Sequence, residues 1–255
     1  MKRRKFIHSG LAATAIPVGC TASNKLTKPT EEPTRELYEW REYKLKWRGN
    51  KKMLVDYLRD VLKPAMMAEG VNHFLVFDEI HPSSEKKIYT LISYPNADIY
   101  LKTQTMQHET AFKTAATTYD ALPVNKPIYD RFESSLLLAF TVQPEMLLPK
   151  PDSEVFELRI YEGYSDDAVR RKIKMFNDGE IPIFIDAGLY PVFFGEMLAG
   201  TLRPCLVYMV NCKDMDAHSA GWKSFISHPS WIAMKDKEEY ANSVSNIRNA
   251  FLKLI

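Results

Sequence analysis

The feature that most constrains this chain is a long internal repeat. Glu39-Trp40-Arg41-Glu42-Tyr43 returns as Glu157-Leu158-Arg159-Ile160-Tyr161, 118 residues later. The same offset carries Pro64 onto Pro182, Gly70 onto Gly188 and Asp78 onto Glu196. It also carries the apolar run Ile88–Ile92 onto Leu206–Val210. One ungapped offset across landmarks this far apart marks a duplicated unit, and a period this long means a doubled domain rather than a solenoid. The chain therefore divides into residues 36–149 and 150–255, preceded by a short leader and linker.

Each copy reads as strand, helix, strand, strand, helix, strand. In the second copy, alternation over Phe156–Gly163 predicts the opening strand. Ser165 is placed to cap the helix that follows, with Asp166 and Asp167 at its positive end. Val169, Ile173, Phe176 and Ile183 lie near one helical face. Gly188 closes the helix, and Pro182 inside it predicts a kink. Strands follow at 191–198, 205–212 and 244–254, with a helix from Met215 to Ile226. The first copy gives strands near 37–46, 72–78, 87–94 and 128–141, and helices near 51–69 and 97–120. The order βαββαβ is the ferredoxin-like split unit. Its helices cover one sheet face and leave the other bare. Exposed apolar surface costs about 25 cal/mol per Å², so the expected α+β architecture has the two bare faces meeting in a barrel-like interior with a lumen between the repeats.

Residues of the second copy resemble the NIPSNAP family. They are Phe156-Glu157-Leu158-Arg159-Ile160-Tyr161, Asn177-Asp178-Gly179-Glu180-Ile181-Pro182-Ile183-Phe184, and Ala187-Gly188-Leu189-Tyr190-Pro191-Val192-Phe193-Phe194-Gly195-Glu196, with Trp222 beyond. The match spans about residues 154–255; the first copy joins it through the repeat. The resemblance implies tandem ferredoxin-like repeats in a dimeric α/β-barrel arrangement. It implies little chemistry, because the family has no agreed activity or catalytic residue set. Mitochondrial relatives are linked to membrane association and signalling, which nothing in this sequence carries over to an exported chain.

Residues 1–20, MKRRKFIHSGLAATAIPVGC, have the organisation of a signal peptide: a basic start and a short, weakly apolar stretch. Arg3-Arg4 in Arg3-Arg4-Lys5-Phe6-Ile7 resembles a twin-arginine export signal. Pro17-Val18-Gly19-Cys20 resembles a lipobox, with Pro17 where Leu is usual. Two products stay open, one lipidated at Cys20 and one cleaved nearby and soluble. Residues 21–35 are polar and Pro-containing, as a flexible tether would be. The expected location is the periplasm or the envelope.

Of the 34 basic residues, Lys2, Arg3, Arg4 and Lys5 belong to the leader, leaving 30 against 32 acidic in the rest. That balance gives no reason to expect nucleic-acid binding. No apolar run approaches the roughly 18 residues of a membrane span, so membrane attachment is expected only through a lipid on Cys20. A homo-oligomer is an open expectation. Cys205 and Cys212 sit seven apart in one strand, hence on opposite faces and unable to bond to each other.

Glu157, Arg159 and Tyr161 alternate with Leu158 and Ile160, so the polar three share a strand face. With the apolar pair expected against the helices, the polar three should look into the lumen. Glu39, Arg41 and Tyr43 repeat the set, and Asn246 and Arg248 join it from the last strand. Such residues can orient a polar or anionic ligand, since Arg presents a fork to carboxylates and a desolvated Tyr or Glu can move protons. Cross-strand pairing, in which they satisfy one another, is the competing account. Glu42 breaks the pattern where the second copy has Ile160. His73, His81, His108, His218 and His228 form no ligand motif and are expected at the surface or as caps. Trp222, Trp231, Phe193 and Phe194 are expected in the core. No metal site and no cofactor is expected, and no phosphate loop or nucleophile elbow is present. Three functional readings follow: a small-molecule binder with its ligand between the repeats, a cofactor-independent monooxygenase- or isomerase-like enzyme of this barrel type, and a tethered interaction module without ligand.

Overall fold

The protein is described by a computed structural model over residues 34–81 and 85–255. Arg3, Arg4, Cys20 and most of the linker lie outside those residues.

The first copy runs β1 (Leu37–Leu45), α1 (Lys51–Tyr57), α2 (Lys63–Ala68), β2 (His73–Glu79), β3 (Lys87–Tyr94), α3 (Ala97–Thr105), α4 (Thr110–Asp120) and β4 (Tyr129–Ala139). The second runs β5 (Val155–Glu162), α5 (Asp166–Met175), α6 (Ile181–Asp186), β6 (Tyr190–Ala199), β7 (Cys205–Cys212), α7 (Met215–Ser227), α8 (Pro229–Lys235) and β8 (Asn246–Leu254). The 118-residue offset carries β3 onto β7 residue for residue. It also carries the N-cap Asn96, which accepts from the Ile99 N–H, onto Asp214, which accepts from the Ala217 N–H. Ser165 caps α5 by accepting from the Ala168 N–H.

The break expected at Pro182 is a turn of π-helix, Phe176–Glu180, just before α6. Its counterpart Leu58–Leu62 precedes Pro64 at the same offset. In both, the last N–H reaches five residues back, from Lys63 to Leu58 and from Ile181 to Phe176. Proline has no N–H to give to the carbonyl four residues earlier, and a widened turn absorbs that loss.

All eight strands pair antiparallel into a closed barrel, in the order β1-β3-β2-β8-β5-β7-β6-β4. Within a copy the ladders are long: β1–β3 and β5–β7 each pair over eight positions. The seams between copies are short, three positions for β2–β8 and four for β4–β6. The interior joins both copies in one apolar cluster, including Tyr38, Trp40, Leu91, Phe156, Leu158, Ile160, Phe193, Met209 and Leu252. Each outer face carries its own core under its own helices. Leu54, Leu58, Met66 and Ile92 build the first, and Phe176, Phe184, Phe194 and Tyr208 the second.

This arrangement corrects the expected strand faces. Leu158 and Ile160 point into the barrel, while Glu157, Arg159 and Tyr161 lie beneath the helices. Glu39, Arg41 and Tyr43 do the same in the first copy. The physical reason lies in closure: an eight-stranded barrel is just wide enough to be filled by its own side chains, and a dry interior shared by two sheets takes the apolar residues. The polar residues go where helices can supply partners. Cys205 and Cys212 are both buried free thiols.

Candidate functional site

Under the helices of the second copy, the Glu157 carboxylate is saturated. One oxygen accepts from Arg159 Nη1 at 2.7 Å and from Asn249 Nδ2 at 3.4 Å. The other accepts from Trp222 Nε1 at 2.7 Å and lies 2.9 Å from His218 Nε2. Burial pushes this carboxyl up, but the His218 contact and the Arg159 charge outweigh it and hold it below the ordinary range. The Arg159 guanidinium lies over the Trp222 ring, 4.5 Å from its centroid, and its Nε is buried without a partner. Tyr208 donates to Tyr161 at 2.9 Å. A buried ion pair, Lys172 to Glu180 at 2.6 Å, completes the layer; burial holds Glu180 above the ordinary range against the pull of Lys172. The remaining space is packed with rings: Phe184 meets Phe225 at 4.5 Å and Trp222 at 5.8 Å between centroids, and Phe176 meets Tyr208 at 5.3 Å.

The first copy keeps the carboxylate and loses the filling. Glu39 accepts from both Nε and Nη2 of Arg41 at 2.7 and 2.8 Å, from Ser134 Oγ at 2.6 Å and from Tyr94 Oη at 2.7 Å. Burial raises its pKa and the Arg41 charge more than reverses that, leaving it lowered. At the 118-residue offset, Phe176, Phe184, Tyr208, Trp222 and Phe225 become Leu58, Met66, Thr90, Gln104 and Gln107. The first copy has its rings elsewhere in the layer: Tyr57, Tyr100, Phe112, Tyr119 and Tyr129 stand where the second copy has Met175, His218, Ser230, Lys237 and Ile247. The Thr90 hydroxyl that replaces the Tyr208 phenol is buried and unpartnered. In this copy a cavity of about 500 Å³ opens between sheet and helices, with Arg41, Tyr43, Tyr57, Gln104, Tyr119 and Tyr129 among its walls. Tyr57 and Tyr119 stack at 3.8 Å, and Tyr119 donates to Tyr129 at 2.8 Å. Burial pushes the Tyr43, Tyr57 and Tyr119 phenols upward, so they stay protonated at neutral pH.

A second cavity, of about 380 Å³, occupies one mouth of the barrel. All eight strands contribute to it; Trp40, Tyr89 and Ile160 are in its wall and Glu42, Lys87 and Arg248 carry charge there. Lys87 pairs with Glu42 at 3.1 Å. The position of Glu42 explains its departure from the apolar pattern: it sits at the mouth, partly exposed, rather than in the dry centre.

The nominated residues therefore separate. Glu39, Arg41 and Tyr43 gather at the open cavity; Glu157, Arg159 and Tyr161 gather in its filled counterpart. Arg248 stands at the barrel mouth, bonded to Glu162, and Asn246 is exposed, donating to the same carboxylate at 3.3 Å. His218, expected at the surface, is buried against Glu157; His228 does cap α8, accepting from the Ser230 N–H. Trp222 is more than packing, since its indole N–H is a ligand of Glu157. Tyr57, Tyr119 and Tyr129 were not marked by any local motif. Laying the two copies side by side at the repeat offset, position by position, is the signal that finds the cavity they line.

No protein-family profile matches the sequence, and no curated protein matches it. Solved structures do resemble the fold. A candidate monooxygenase from Fusobacterium nucleatum aligns with a TM-score of 0.57 and 9% identity, covering 87% of this chain and 93% of the other. A candidate monooxygenase from Lactobacillus acidophilus aligns at 0.55 and 12%, covering 86% and 94%. A NIPSNAP family protein of unknown function from Agrobacterium tumefaciens aligns at 0.34 and 15%, covering 42% of this chain and 93% of its own. With eight antiparallel strands closed by two ferredoxin-like halves, the chain has the dimeric α/β-barrel fold, both halves carried on one polypeptide.

Proposed function

We propose that the protein binds a small, planar aromatic molecule between sheet and helices of its first repeat, rather than in the barrel centre between the repeats. The observation that carries this reading is the asymmetry of the two copies: in the second, five rings pack the space between sheet and helices, and in the first the rings sit at other positions and wall a cavity of about 500 Å³. The cavity is open to solvent at Gln107, His108 and Phe132, so a ligand can enter it. The walls say which chemistry fits. Tyrosine and phenylalanine rings favour stacking or edge contacts with another ring. Arg41 is already neutralised by a two-bond fork to Glu39, so the cavity is not built to take a free carboxylate. The phenol hydroxyls are donors and acceptors for an oxygen-bearing ring.

The test rebuilds the second copy inside the first. Met66→Phe with Gln104→Trp should abolish binding of 2-naphthol, measured by calorimetry, with the far-ultraviolet circular dichroism unchanged. Binding that survives in the filled variant sinks the reading. A second reading, oxygenation of the bound ring, draws on the fold likeness to candidate monooxygenases. Oxygen uptake dependent on an electron-rich phenol, and lost in the same variant, would support it. Against it stand the protonated tyrosines and a Glu39 whose lone pairs are occupied; neither is poised as a base at neutral pH.

A further inference from the structure

Trp47 is the most exposed large ring among the described residues, at 90%. It does not hang on a loose segment. Lys46–Gly49 is a tight turn, closed by the Gly49 N–H donating to the Lys46 carbonyl at 2.8 Å. The Lys46 N–H donates to the Ile128 carbonyl at 2.7 Å, which ties the turn to the approach to β4. A Cβ on Gly49 would come within 2.5 Å of that same Ile128 oxygen, so the fit admits only glycine. Arg48 is held at a φ of 65°, in the left-handed region that a branched-off side chain disfavours. The chain thus accepts backbone strain to hold an indole in solvent. The approach to β4 carries a second apolar tip, Val124, at 99% exposure, and its chain neighbours Pro123 and Asn125 line the same hollow as Trp47.

The two segments that carry these tips are basic. Segments 46–52 and 121–128 carry Lys46, Arg48, Lys51, Lys52 and Lys126 and no acidic residue. Lys46 and Lys51 reach to Asp130 and Asp78 on neighbouring strands, and Lys52 pairs with Asp56 one turn along α1. Arg48 and Lys126 have no carboxylate partner among the described residues. Glu85 and Lys86 at the edge of the patch offset one another. At the repeat offset the corresponding segments of the second copy, 164–170 and 239–246, carry Asp166, Asp167 and Glu239 against Arg170 alone, so the basic character belongs to the first copy.

We propose that this corner of the barrel, Trp47 and Val124 with Arg48 and Lys126, docks on an anionic phospholipid surface. An indole and a small apolar tip at interfacial depth, flanked by the unpaired cations Arg48 and Lys126, is the combination that the negatively charged headgroup layer attracts and retains. The contact is independent of any acyl chain on Cys20, and it sets the orientation of the barrel against the bilayer.

The test uses the full-length chain with Cys20→Ala, so that no lipid can be attached. It should co-sediment with phosphatidylcholine vesicles containing phosphatidylglycerol, not with pure phosphatidylcholine, and should be released by salt. Arg48→Glu and Lys126→Glu should each weaken binding about fivefold or more, and Trp47→Ala about tenfold, the order set by burying an aromatic ring. All three side chains are at the surface, and unchanged circular dichroism confirms that each variant folds. A blue shift of tryptophan emission on vesicle addition should vanish in Trp47→Phe although three tryptophans remain. No vesicle binding, equal binding to neutral vesicles, indifference to Trp47→Ala, or capture by a duplex oligonucleotide in preference to anionic vesicles would each overturn the proposal.

Discussion

Two glutamates at one repeat position, Glu39 and Glu157, anchor the polar layers beneath the helices, and each is surrounded by donors from several elements. Removing Glu157 leaves a largely buried Arg159 without its carboxylate, which costs about 2–3 kcal/mol once its partial exposure is allowed for. Glu157→Ala should therefore lower unfolding stability by about that amount in urea titrations. Glu162→Ala, whose partner Arg248 is half-exposed, should cost less than about 1 kcal/mol. The pH dependence follows from the same pair of carboxyls. Both are held below the ordinary carboxylate range in the fold. Their contribution is fully present above the unfolded value, about 4.3, and is lost as pH falls through the folded one. Stability should drop as pH falls below about 4, and less steeply in Glu157→Ala than in the parent. These residues were visible in the sequence as a polar triplet on one strand face. Their partners were not, because His218 and Trp222 lie 61 and 65 positions away from Glu157 and no local spacing links them.

Strand and helix positions were legible almost throughout, since period-2 and period-3.6 patterns are local. The run 205–212 was read to the residue, and Ser165 and Gly188 mark the ends of the helical segment between β5 and β6. What alternation cannot say is which face of a strand looks inward when both are buried. In β5 the two faces meet a dry barrel centre and a helix layer, and only closure of the barrel decides between them. The helix ends offer a clean test of local geometry. Gly188 has a φ of +81°, and a Cβ there would meet nothing within 4 Å. Gly188→Ala should then cost about 1 kcal/mol from backbone strain alone, read as a lowered midpoint in thermal unfolding. A cost near zero would show that the turn can relax.

On the scale of the molecule, the duplication was plain from the offset and the barrel followed from the bare sheet faces. The unequal filling of the two copies did not, because it depends on which side chains stack across separate elements. The halves are held by short hydrogen-bonded seams and a long shared apolar interior. Residues 150–255 made alone would leave half of that interior in water. Such a fragment should pair with a second copy of itself to close an eight-stranded barrel, and sedimentation equilibrium should report a dimer. A folded, monodisperse monomer would mean that the interior is not what joins the halves.

The contrast between the crowded layer and the hollow one bears on how such a protein can change over time. Where two identical subunits form a barrel, any substitution strikes both chambers at once, and a change that enlarges one weakens the other. Fusion into a single polypeptide breaks that link. The Phe176–Phe184–Tyr208 side can act as the keystone of the assembly while the wall around Tyr57 and Tyr119 is free to drift towards new occupants.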